Sequence, residues 1–151
     1  MAVEVYWWPP SSGNIGHAAI KVDGGSPPGI AYLSAWPGSL LSIFFVGQGE
    51  YHQFDNDVSR EGNRQPQVAR ILNLNETAIK NQISVFQSAE TYSFFGANCA
   101  TQASICLNAG LPGATIRQML DLMGGPMGYF FGTSVINTPW TLFLYAKSLA
   151  T

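Results

Sequence analysis

The spacing of apolar residues changes halfway along this chain, and that change restricts the fold more than any other feature. In the first half the apolar runs are short and cut by proline and glycine. Residues 3–8 read as a strand stopped by Pro9-Pro10, residues 17–22 as a second ended by Asp23-Gly24-Gly25, and residues 30–36 as a third closed by Pro37-Gly38. Residues 40–46 are apolar without a clear period, 48–65 read as a polar loop, and 68–74 alternate well enough for a fourth strand. The spacing then turns helical. Asn75 can cap a helix over 76–90 with Ile79, Ile83 and Phe86 on one face, and Asn98 can cap a second over 99–108, ended by Gly110 and Pro112. A third helix is predicted over 116–122, and Thr138-Pro139 is a cap and first-turn pair for a last one reaching residue 149. Strands first and helices second predict an α+β fold, a small antiparallel sheet packed against helices.

With 151 residues, 46% of them hydrophobic and only 11% charged, the chain is expected to form a single domain over 1–151 with a substantial core. The net charge of −2 and seven scattered basic residues leave no electrostatic footprint for nucleic acid. The opening MAVEVYWWPPSSG lacks the basic region, long apolar run and cleavage site of a secretory signal peptide. Export by a dedicated secretion system, with action in a target cell, or excision from a longer polypeptide are the expected routes. The most apolar stretch, residues 123–149, is too broken by glycine and proline for a membrane span.

Two cysteines are present, Cys99 and Cys106, both in the helix predicted after Asn98. Seven helical residues separate them by about 10 Å along the axis, too far for a disulfide. Cys99 follows the N-cap, where unpaired backbone N–H groups and the positive helix end favour a thiolate. Gly96 and Ala97 before it are small and leave room for a substrate. The competing reading makes Cys99 a small buried hydrophobe, which is the reading assigned to Cys106 between Ile105 and Leu107.

A thiolate nucleophile needs a base, and the chain offers two histidines. His17, at the start of a strand beside a glycine, is placed to present its imidazole to a helix N-terminus; otherwise it is a hydrogen-bonded structural histidine. His52 lies in the polar stretch EYHQFDND and reads as a solvated loop residue. A third group usually orients the base. Ser34 is the internal polar residue, apart from Tyr32, of the apolar strand IAYLSAW, and either faces His17 or is satisfied by backbone. Asn14 and His52 are the fallback candidates, and Tyr6 could offer a hydroxyl to an oxyanion.

Asp55, Asp57 and Glu61 begin like a calcium loop, but Arg60 stands at its sixth position and Pro66 at its twelfth, so the pattern fails. No zinc-ligand spacing and no phosphate-binding glycine loop occurs, and no cofactor or metal is implied.

The blocks GHAAIKV, AYLSAWP and YSFFGANCATQASICLNAG resemble the circularly permuted branch of the papain-like superfamily, which includes permuted cell-wall peptidases and lecithin:retinol acyltransferase-like enzymes. In that branch the strand histidine precedes the helix cysteine, as His17 precedes Cys99 here by 82 residues. The resemblance covers about a third of the chain and extends to bacterial secreted effector domains. It implies a papain-like fold with Cys99 as nucleophile, His17 as base and Ser34 as the orienting residue. The implied activity is that of a cysteine peptidase or amidase toxin acting on peptidoglycan peptide or another amide, with an immunity protein as a candidate partner. The acyltransferase-like enzymes generally carry a second histidine in the orienting role and follow N-C with E-H. Here Ser34 and Ala100-Thr101 stand instead, which disfavours lipid acyl transfer and membrane contact.

Two rival expectations stand beside this one. The first keeps the thiol chemistry but moves it to a lipid ester or protein side chain, with Tyr129, Phe130, Phe131 and Trp140 as a greasy rim. The second is a binding module with an inert Cys99 and an interface of Trp7, Trp8 and Trp36.

Overall fold

The computed structural model describes residues 2–23, 30–38, 47–92, 98–112 and 138–150. The helix predicted over 116–122, the stretch 40–46, Gly96, Ala97 and the aromatic run at Tyr129 to Phe131 lie outside the described residues. Seven strands and four helices are described, in an α+β arrangement.

β1 (Ala2–Trp8) and β2 (His17–Asp23) form the central antiparallel pair, in a register that sets Trp8 opposite His17 and Val5 opposite Ile20. β3 (Ala31–Leu33) flanks β2, and β6 (Gln67–Ile71) flanks β1, giving a four-stranded antiparallel sheet in the order β3-β2-β1-β6. Side chains alternate across it. Val3, Val5, Ala18, Ile20, Val22, Ala69 and Ile71 face one side, where they pack with residues of three helices: α2 (Glu76–Ala89), α3 (Cys99–Ala109) and α4 (Pro139–Leu149). Tyr6, Trp8, Ala19 and Tyr32 form a second cluster, closed by Phe54 and Val58 of α1 (Phe54–Arg60). With both faces covered, β1 and β2 are buried at nearly consecutive positions.

A smaller antiparallel sheet, β4-β5-β7, joins β4 (Ala35–Pro37), β5 (Gly47–Tyr51) and β7 (Thr91–Tyr92). The strand expected over 30–36 is therefore two strands, broken at Ser34, where the chain leaves one sheet for the other. The Ser34 carbonyl accepts a hydrogen bond from the His52 N–H at 3.1 Å, outside either ladder. The stretch 48–65, expected to be loop, contains β5 and α1. Phe54 and Val58, four residues apart, turn toward the aromatic side of the sheet, and this packing outweighs the polar composition of α1.

The helix boundaries follow their caps. Asn75 Oδ1 accepts from Ala78 N at 3.0 Å at the start of α2, and Glu90 closes that helix in a left-handed conformation at φ 49°. Asn98 Oδ1 accepts from Thr101 N at 2.9 Å at the start of α3. Thr138 and Thr141 cap one another reciprocally across Pro139, which takes the first helical position. None of the described helices is long and apolar enough to cross a membrane.

Candidate active site

Three elements meet at the N-terminus of α3. Cys99 is its first residue, directly after the Asn98 cap, and packs with Ala35 of β4, Tyr92 of β7 and Tyr51 of β5. His17 opens β2 and is 2% exposed. Its place depends on the turn before it. Ser11 and Asn14 exchange backbone hydrogen bonds at 3.0 and 2.9 Å, and Asn14 Oδ1 accepts from Gly16 N at 3.1 Å. Asn14 Nδ2 donates to Glu61 Oε1 at 2.7 Å, and Glu61 is held in turn by Arg64 at 2.8 Å.

The structure brings Cys99, His17 and Ser34 together. The Cys99 thiol lies close enough to His17 for the imidazole to lower its pKa. On the other side of the ring, His17 Nε2 lies 2.8 Å from Ser34 Oγ. Ser34 Oγ donates its proton to Asp57 Oδ1 at 2.8 Å, so toward His17 it acts as acceptor and Nε2 carries a hydrogen. Nδ1 is then the nitrogen left to exchange a proton with the thiol. Trp36 stacks on the imidazole at 4.2 Å between ring centroids, Trp8 packs against it at 5.6 Å, and the Arg60 guanidinium lies 4.7 Å over the Trp36 ring.

The electrostatics favour a charge-separated pair. Burial alone would raise the Cys99 thiol, but the His17 charge and hydrogen bond, with backbone hydrogen bonds from Ala18 and Ala100, bring it below its ordinary value. Burial likewise works against a charged His17, yet the Cys99 thiolate and Asp57 carboxylate beside it push its pKa up to about 9. Cys106, buried in mid-helix with no such partners, is shifted upward by burial. Both cysteines are free thiols.

Asp57 is the residue that reading by sequence missed. Weighed there only in a failed calcium pattern, it is fully buried from α1 beneath His17 and Ser34. Its Oδ2 accepts from the Tyr32 hydroxyl at 2.5 Å, and its Oδ1 accepts from Ser34 and from Trp36 Nε1, each at 2.8 Å. Asp55 is exposed and Glu61 serves the turn, so the acidic trio is not one cluster. Among the described residues no three His, Cys, Asp or Glu side chains are placed to hold a metal ion.

The other candidates fall elsewhere. The Tyr6 hydroxyl donates to Glu4 Oε2 at 2.6 Å, and its ring belongs to the aromatic cluster on the sheet, so it is not available as an oxyanion donor. Asn14 holds the turn and not the imidazole. His52 lies in a loop but is more buried than expected: its side chain is 16% exposed, its ring stacks on Trp36 at 5.9 Å, and its buried Nδ1 lies 4.0 Å from Asp57 Oδ1. Of the three tryptophans of the binding-module reading, Trp8 is fully buried, while Trp7 and Trp36 are half-buried, Trp7 stacking on Phe143 and packing against Trp140 and Trp36 covering His17.

A scan against protein families, a search of curated proteins and a search of solved structures each find no match to this chain.

Proposed function

We propose that this chain is a cysteine-dependent amide hydrolase, a peptidase or amidase on a papain-like fold of permuted order. One observation carries the reading: a thiol at a helix N-terminus beside a buried histidine that acts on it electrostatically and whose Nε2 is fixed by Ser34. A structural cysteine has no need of an imidazole, and a structural histidine has no need of a thiol.

In the proposed reaction the Cys99 thiolate attacks the substrate carbonyl carbon, and the carbonyl electron pair moves onto oxygen. The Cys99 backbone N–H, among the first in α3 and without an intrahelical acceptor, stabilises that oxyanion. Imidazolium Nδ1–H protonates the amine as the C–N bond breaks, leaving a thioester on Cys99. Neutral His17 then takes a proton from water, the hydroxide adds to the thioester, and collapse of the adduct breaks the C–S bond, releasing the carboxylic acid and restoring the thiolate–imidazolium pair.

By the resemblance of its sequence blocks the preferred substrate is a cell-wall peptide, with the chain acting as a secreted antibacterial effector. The test is incubation with purified peptidoglycan fragments, reading new amines and carboxylates by mass spectrometry. Release by the wild type, its loss in Cys99→Ala, and an acyl group trapped on Cys99 are expected. Equal release by Cys99→Ala would overturn the reading.

A further inference from the structure

A carboxylate with no solvent exposure has to be balanced by a cation or lose its charge. Asp57 keeps its charge. Burial alone would raise its pKa, but His17 and the donors Tyr32 and Ser34 hold it below the usual carboxylate value. Three neutral donors cannot supply a compensating charge. Among the described residues its ionic contacts are with two histidines, His17 Nε2 at 3.7 Å from Oδ2 and His52 Nδ1 at 4.0 Å from Oδ1. His52 is already committed on its other nitrogen to Glu50 at 3.3 Å and is partly solvated. His17 is almost wholly buried and shares the Ser34 hydroxyl with Asp57.

We propose that Asp57 is a positioning residue of this site, acting on His17 through the Ser34 hydroxyl and across the direct 3.7 Å contact. It orders the Ser34 proton so that the hydroxyl accepts from Nε2–H. That leaves Nδ1 toward the thiol and places a fixed negative charge behind the imidazolium. The arrangement is a relay of four side chains, Cys99, His17, Ser34 and Asp57, in which no proton leaves His17 toward Asp57 and the serine is a bridge. Tyr32 and Trp36 share the same carboxylate and hold it in register. Among the described residues the other titratable or charged groups near this pair are Cys99, His52, Glu50 and Arg60; the last three pair with one another, and His52 also reaches Asp57.

The inference rests on the hydrolase reading, but its readout does not need the thiol, so failure of one is distinguishable from failure of the other. The experiment follows the His17 ring by NMR against pH in Cys99→Ala, Cys99→Ala/Asp57→Asn and Cys99→Ala/Tyr32→Phe proteins. Removing a buried opposite charge within 4 Å lowers the His17 midpoint by about one unit or more, a tenfold loss of proton affinity. Tyr32→Phe shifts it the other way, because a carboxylate deprived of one donor presents more of its charge to the imidazolium. A purely structural role for Asp57 predicts no such opposed pair of shifts. A folded Asp57→Asn protein with an unmoved His17 midpoint overturns the proposal. If that variant does not fold, Tyr32→Phe decides: an upward shift supports the relay, and an unmoved or lowered midpoint overturns it.

Discussion

Replacing Gly16 by alanine tests how the turn before β2 presents His17. Gly16 has φ +92°, and a Cβ built there would meet the Trp8 carbonyl oxygen at 2.9 Å and Pro10 at 3.3 Å. Holding an L-residue at positive φ costs about 1–2 kcal/mol. The carbonyl contact adds to this, since Trp8 ends β1 opposite His17 and can retreat only by moving the backbone of that pair. A total of about 2–4 kcal/mol follows, or a fall in Tm of roughly 5–15 °C for a domain of this size. Gly13 is the internal control, with φ +82° and nothing within 4 Å of its Cβ position, so Gly13→Ala incurs only the backbone part. Thermal unfolding by circular dichroism and alkylation of Cys99 at pH 6 are measured for both. Gly16→Ala should lose more stability than Gly13→Ala and also slow alkylation, because displacing Gly16 displaces His17. Equal losses from the two substitutions, with unchanged alkylation, would refute the claim that this turn positions the base.

Asn98→Ala removes the cap of α3 and should cost about 1 kcal/mol. Thr138→Ala at the start of α4 should cost a similar amount, yet only the first substitution should slow Cys99 labelling at pH 6, read by mass spectrometry. Hydrolysis and alkylation should part company at high pH. Against the opposing effect of burial, Cys99 and Asp57 raise His17 to about 9, so above that value the imidazolium needed by the leaving amine is lost while the thiolate persists. Turnover should therefore fall as pH rises through about 9 with alkylation undiminished, and parallel profiles would contradict the assignment.

Local signals in the sequence located the parts of the site that local structure positions. Asn98 before Cys99 announces a cap, and the glycine-ended turn before His17 announces a strand start, so both residues were legible without knowledge of the packing. Ser34 stood out as a hydroxyl in an apolar run, although the sheet change at that position did not, because AYLSAWP carries no glycine or internal proline to mark a break. Asp57 was illegible for a different reason. FDNDVSR is polar enough to pass for a solvated loop, and only the four-residue spacing of Phe54 and Val58 signals an inward face. That the buried carboxylate meets His17 is decided by the packing of α1 over the sheet, a contact spanning 40 residues of sequence. His52 was misread for the same reason, its neighbours being polar in sequence but Trp36 and Asp57 in space.

The central claim is that Cys99 and His17 form a thiolate–imidazolium pair, and the most direct test is iodoacetamide labelling against pH. The modified residue is mapped by mass spectrometry in the wild type and in His17→Ala. The account predicts rapid labelling of Cys99 well below pH 8 in the wild type, lost in His17→Ala, with Cys106 unlabelled in both. Cys99 labelling that rises only near the pKa of an ordinary thiol, about 8.5, and does so identically in the two proteins would contradict it.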